Sequence, residues 1–201
     1  MNIYDFDGTL YEGDSSIDFY KYNLARRPWL CVLWPVQLCA AIGYKLRIIN
    51  KTRMKEIFYL YFRMIDAEAE AGKFWKKNIE KIYPWYYEAH REDDVVISAS
   101  PEFFLKYPCA HLGVTNLLAS RVDPQTGKTE GLNCHGGEKL ARFRAAFPDA
   151  RVEQAYFDRK SDLPVSLLAD RLMLVHHYGY VREVERDELP ESWQAYVPKQ
   201  G

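Results

Sequence analysis

The chain has 201 residues, 48% hydrophobic and 27% charged, enough to bury a core under a solvated surface and unlike the composition of a disordered chain. Its 27 basic and 28 acidic residues give a net charge of −1, without the basic surplus that a phosphate backbone attracts, so no nucleic acid is expected as a partner. The four cysteines show no CxxC spacing and no leader-like segment precedes the first strand-like residues, so small buried thiols in a reducing, cytoplasmic setting are expected.

Met1 to Tyr4 reads as the stub of a strand, which DFDGTL breaks into a glycine-centred turn at Asp5. Chemistry-bearing groups at the carboxyl end of a strand suit an open α/β sheet. From Ser15 to about Trp85 the signal becomes helical, dense in aromatic residues and free of strand alternation, which predicts a helical insert. Within it Met54, Ile57, Phe58, Tyr61, Met64 and Ile65 recur at three- and four-residue steps, as one face of an amphipathic helix packed inside the insert. Trp29 to Tyr44 is nearly all apolar, follows Arg26-Arg27, and at about 16 residues falls short of the ~20 a spanning helix needs. Its first expected place is the core of the insert or a homodimer contact. Its second is peripheral membrane contact through 29–44, with Trp29, Trp34 and Tyr44 at the headgroup level.

The α/β pattern resumes with Asp94 to Ser98, a short buried strand, and Pro101 at the first turn of a helix. Leu117 to Val122 and Thr129 to Leu132 flank the turn Asp123-Pro124-Gln125-Thr126-Gly127, which predicts a β-hairpin. Gly136-Gly137-Glu138-Lys139-Leu140 opens a helix running to about Ala146. Val152 to Phe157 and Leu172 to Val175 are strands, separated by a helix at Leu163 to Leu168. His176-His177 lacks a third ligand at metal spacing and is read as structural or surface.

Four elements carry chemistry. Asp5 and Asp7, at a strand end, suit a division of labour in which one carboxylate attacks phosphorus and the other moves the proton of the leaving alkoxide. Taken alone the pair also fits two solvated turn aspartates. Ser98 ends the second strand with small residues whose amides approach an anion. Lys139, after a glycine pair, places an ammonium where a transferring phosphoryl group needs neutralising. Asp158 and Asp162 follow a strand and suit an oxygen-ligand site for Mg²⁺. Ser98 as a cap, Lys139 as a surface lysine and the two aspartates as helix-entry residues are the plainer readings of each. The residues also leave open a catalytically weak binding module, and a glycosyltransferase in which Asp5-Phe6-Asp7 holds the metal.

DFDGTL, VISAS, GGEKL and YFDRKSD together resemble the four ordered motifs of the haloacid-dehalogenase superfamily, in the branch of phosphoserine phosphatase, phosphatidylglycerophosphatase and histidinol-phosphatase-like enzymes. The resemblance spans residues 1–13 and about 94–170. It implies a Rossmann-like α/β core at 1–13 and 88–201 with an α-helical cap at 14–87. It further implies a Mg²⁺-dependent phosphate monoester hydrolase working through an aspartyl-phosphate. On this chain the nucleophile falls on Asp5 and the general acid/base on Asp7, whose backbone carbonyl also meets the metal. The phosphate-binding hydroxyl falls on Ser98 beside the Ala99 amide, the lysine on Lys139, the metal carboxylate on Asp158 and its supporting acid on Asp162. Asp14 and Ser15 resemble the Asp-Ser/Thr of lipid-phosphate relatives where the chain leaves the core. Ser98-Ala99-Ser100 replaces the Ser-Gly-Gly loop of phosphoserine enzymes, so the substrate expected is a lipid or amphiphilic phosphate, or else a small soluble ester. Arg159 stands where the family often has Gly-Asp-Ser, either opposing the metal or clamping an anionic substrate.

Overall fold

A computed structural model describes residues 1–194. Six strands form one sheet in the order β3-β2-β1-β4-β5-β6: β1 (Asn2–Tyr4), β2 (Val95–Pro101), β3 (Asn116–Ser120), β4 (Val152–Phe157), β5 (Ala169–Val175) and β6 (Val181–Val184). All neighbours pair parallel except β5 and β6, which are antiparallel. The result is the α/β Rossmann-like sheet that the motif order predicts.

β1 and β2 are short and apolar because both faces are covered. Ile3, Val95 and Ile97 point to one side with Phe143 and Val152, while Tyr4 and Val96 point to the other with Phe6, Trp75 and Phe104. The second side carries the helical segment between β1 and β2: α1 (Ser15–Arg26), α2 (Trp34–Lys45), α3 (Lys51–Phe58), α4 (Ala67–Asn78) and α5 (Trp85–Ala89). After β2 come α6 (Glu102–Leu112), α7 (Gly137–Ala146) and the short α8 (Leu163–Ser166). No helix among the described residues is long and apolar enough to cross a membrane.

Several expectations need correction. The face from Met54 to Ile65 is not one α-helix: α3 stops at Phe58 and Tyr59–Met64 tightens to a 3₁₀ turn. Its three-residue repeat stacks the rings of Tyr59 and Phe62, 5.0 Å apart and 10° from parallel, and leaves Met64 exposed. The hairpin at 117–132 is reduced to a bridge between Val122 and Thr129, because Asn116–Ser120 pairs parallel with β2 instead. Pro101 ends β2 and caps α6, which starts one residue later. The apolar stretch at Trp29 to Tyr44 does not pack inside the helical segment. A 3₁₀ turn (Pro28–Leu33) and α2 carry it over the surface, with Leu30 and Ala40 its buried residues.

Candidate active site

Chain order reverses at β1, which sits between β2 and β4, so the loops leaving their carboxyl ends meet over one crevice. The Asp5 amide donates to the Tyr156 carbonyl at 3.0 Å and extends the β1–β4 ladder to the first carboxylate. The carbonyl of buried Phe6 then accepts from the amides of Leu10 and Tyr11, both at 2.9 Å, curling the chain into a turn. Gly8 takes φ +84° there, and a Cβ on it would lie 2.2 Å from Asp158 Oδ2. Glycine is therefore needed for the turn and for the carboxylate that packs against it.

Asp7 is held by three hydrogen bonds. Its Oδ1 accepts from the Ser15 amide at 2.7 Å and the Ser15 hydroxyl at 2.5 Å, and its Oδ2 accepts from the Ser100 hydroxyl at 2.6 Å. Burial, then the charge of Asp14, raises the Asp7 carboxyl above the ordinary value, while the bonds from Ser100 and Ser15 favour the ion. A carboxyl with a raised pKa and a fixed direction suits a proton carrier.

Asp5 faces different partners. The ammonium of Lys139, on the first turn of α7 and 2% exposed, lies 2.5 Å from Asp5 Oδ1 and 2.6 Å from Asp162 Oδ1. Burial alone would lower the pKa of Lys139, but Asp162 and Asp5 hold it above the usual lysine value. Burial and then Asp162 push Asp5 upward, with Lys139 pulling it back. Asp158 is pushed up to about 6 by burial, against the pull of Arg159, whose Nε lies 3.0 Å from Asp158 Oδ2.

Carboxylate oxygens of Asp5, Asp158 and Asp162 lie within 4.8 Å of one another. Asp158 Oδ1 is buried with no hydrogen-bond partner among the described residues, whereas a protein interior normally satisfies such an atom. An oxygen-only donor set with an orphaned carboxylate atom fits a hard divalent cation. The Asp7 carboxylate lies outside this set, turned toward its serines.

The cavity above these groups is about 310 Å³. Asp5, Asp7, Asp14, Ala99, Lys139, Arg159 and Asp162 all line it. Ser98 does not: it is fully buried, its Oγ accepting from the Ser100 amide at 3.0 Å. Ser100 reaches the cavity, because β2 shifts register between Ser98 and Pro101. Asp14 caps α1 by accepting from the Ile17 amide at 3.0 Å.

The opposite wall comes from α3, where Lys51, Met54, Lys55 and Phe58 share one stripe over the cavity. Lys55 Nζ donates to the Ala99 carbonyl at 2.7 Å. Burial, then Lys55 and Arg159, lowers the pKa of Lys51 to about 8. Burial and Lys51 likewise lower His135, beside Lys139, to about 4. Lys51, Lys55 and His135 lie outside the four sequence motifs. The signal was the 51, 54, 55, 58 spacing, two lysines set into an apolar stripe.

A model of one family, haloacid dehalogenase-like hydrolase, matches residues 3–166. None of the curated proteins matches the chain. Among solved structures, a protein of unknown function from Bordetella pertussis Tohama I superposes with a TM-score of 0.69 at 17% identity, over 87% of this chain and 89% of that one. A phosphoserine phosphohydrolase-like protein from Francisella tularensis subsp. tularensis SCHU S4 superposes with a TM-score of 0.56 at 15% identity, over 88% of each. At these identities the two structures share the fold with this chain.

Proposed function

Because the chain belongs to the haloacid dehalogenase-like hydrolases, we propose that it hydrolyses a phosphate monoester through an aspartyl-phosphate on Asp5. The observation that carries this reading is the split between the two carboxylates. Asp5 faces an ammonium and two further carboxylates, while Asp7 is turned away, raised in pKa and held by Ser15 and Ser100.

In the first step an Asp5 oxygen attacks phosphorus and the ester P–O bond breaks. The departing alkoxide takes the proton of Asp7. In the second step Asp7 removes a proton from water, which attacks the acyl phosphate, releases phosphate and restores Asp5. Lys139 neutralises charge on the phosphoryl oxygens, and the Ala99 and Ser100 region of β2 meets them from the other side. Asp5, Asp158 and the Asp7 carbonyl would hold Mg²⁺, with Asp162 behind them. When bound, the cation supplies charge neutralisation at the phosphoryl oxygens. A departing halide needs no proton, so a held Asp7 favours ester hydrolysis over dehalogenation.

We read residues 14–87 as a cap over a core of 1–13 and 88–194; residues 195–201 of the expected core lie outside the described residues. Its α3 stripe brings cations and an apolar surface to one cavity, which supports an anionic, amphiphilic phosphate monoester over a small polar one. The test is phosphate release from a panel of esters, with lipid phosphates in detergent, in Mg²⁺ and in chelator. Mg²⁺-dependent turnover that favours the amphiphilic esters is expected. Turnover of none of them would refute the reading, and preference for small polar esters would refute its substrate class.

A further inference from the structure

Outside the cavity, the apolar surface of the chain is concentrated in one place. Of the sixteen large hydrophobic residues exposed among the described residues, nine fall between 29 and 48. Val32, Leu38, Leu46 and Ile48 are each more than 60% exposed. From 28 to 44 there is no charged residue at all. A water-facing helix normally carries polar residues on its outer side, and α2 carries Pro35, Leu38, Cys39 and Ile42 there.

Charge along this part of the chain is one-sided. Between residues 19 and 55 there are eight lysines and arginines and no aspartate or glutamate, in a chain whose net charge is −1. Lys21, Arg26, Arg27 and Arg53 pair in the fold with Asp18, Glu70 and Glu56, and Lys51 and Lys55 line the cavity. The cations beside the apolar surface have no acidic neighbour within the segment. Lys45 and Arg47 stand exposed at the end of α2. A two-fold contact with a second copy would bring like charges together and offer no carboxylate from this segment to pair them. An anionic lipid surface complements both features. The α2 helix, of 12 residues, is ~18 Å long, too short to span and suited to lie flat.

The single amide side chain of the stretch points inward. Gln37 Oε1 accepts from the Tyr20 hydroxyl at 3.0 Å, and its Nε2 donates to the Phe58 carbonyl at 3.1 Å. Trp34 Nε1 donates to the same Tyr20 hydroxyl at 3.1 Å. These bonds tie the inner side of α2 to α1 and to the end of α3, the helix that walls the cavity.

We propose that the surface from Pro28 to Ile48 docks the protein on an anionic membrane surface, with α2 lying flat among the headgroups and Leu38 and Ile42 facing the acyl region. Trp29 sits at the headgroup level and Lys45 and Arg47 meet anionic lipid. Docking sets the α3 wall of the cavity beside the lipid.

The test is co-sedimentation of the whole chain with phosphatidylcholine vesicles, with and without phosphatidylglycerol, in the absence of substrate. Binding is therefore read separately from catalysis. The protein is expected to pellet with the phosphatidylglycerol vesicles and to be released by high salt. Leu38→Glu with Ile42→Glu should weaken partition by at least about tenfold while leaving turnover of a soluble aryl phosphate unchanged. Lys45→Glu with Arg47→Glu should remove the preference for the anionic vesicles. Failure of the unmodified protein to pellet would overturn the proposal. So would equal binding by the variants, or light scattering that shows a dimer dissociated by Leu38→Glu with Ile42→Glu, which would make a second copy the occupant.

Discussion

Replacing Lys139 by methionine keeps the length of the side chain and removes its charge. In the native chain the ammonium lies 2.5 and 2.6 Å from Asp5 and Asp162, with 2% of its surface exposed. At an effective dielectric of about 20, each contact is worth about 6 kcal/mol of attraction, offset by several kcal/mol of desolvation per ion. Breaking a buried pair by removing one partner leaves a net loss of about 3–5 kcal/mol, because the two carboxylates then face each other uncompensated. One of them must take a proton. Without the ammonium, the Asp5 pKa rises, so an ionised nucleophile exists only at higher pH. Three effects should appear together in Lys139→Met. The unfolding midpoint should drop by roughly 6–20 °C for a domain of this size, and this deficit should narrow as pH falls, since protonation relieves the buried charge. Phosphatase turnover should fall by about 100-fold or more, and the acid limb of its pH profile should move upward. Calorimetry and a pH series of phosphate release would read them. A variant within a few degrees and tenfold of the native protein, with an unmoved acid limb, would refute the claim that Lys139 holds the nucleophile ionised.

Asp7→Asn should slow esters of high-pKa alcohols far more than p-nitrophenyl phosphate, whose leaving group scarcely needs a proton; equal slowing in steady-state assays would assign Asp7 a positioning role. Arg159→Ser removes a cation 3.0 Å from Asp158 Oδ2, and because that arginine is 57% exposed the expected tightening of Mg²⁺ by titration calorimetry is at most about fivefold. A raised KM for an anionic substrate, with unchanged Mg²⁺ affinity, would instead make Arg159 a substrate clamp. Lys51 loses its charge above about 8, so KM for an anionic substrate should climb as pH rises through that value, and Lys51→Gln should show a high KM without the climb. A native KM flat from neutral pH upward would remove Lys51 from substrate binding.

The positions that depend on chain order were legible in the sequence. Asp5, Lys139, Asp158 and Asp162 each follow or open a regular element, so a strand-end rule with a parallel sheet brings them together. What escaped depends on packing. Ser98 and Ser100 have the same parity on β2, and the register shift after Ser98, invisible in the residue types, decides that Ser100 reaches the cavity and Asp7. Lys51 and Lys55 belong to no motif, and only the packing of α3 across the strand ends brings them to the cavity. The break of α3 at Phe58 followed from the burial of Tyr59, Tyr61 and Phe62, which a 3.6-residue period cannot place together. The strand β6 had no turn signal strong enough to mark it: the reversal at His177–Gly179 uses Tyr178 at φ 63°, a conformation that residue type does not advertise.

The proposed mechanism puts the phosphoryl group on Asp5. Mixing the protein with an aryl phosphate and Mg²⁺, quenching, and reducing with borohydride converts an acyl phosphate into an alcohol, so peptide mass spectrometry reads homoserine at position 5 if Asp5 was phosphorylated. Homoserine at position 5, absent without substrate and absent in Asp5→Asn together with turnover, is the predicted result. Mg²⁺-dependent turnover that persists above about a tenth of the native rate in Asp5→Asn, or reduction at a different carboxylate, would contradict the account.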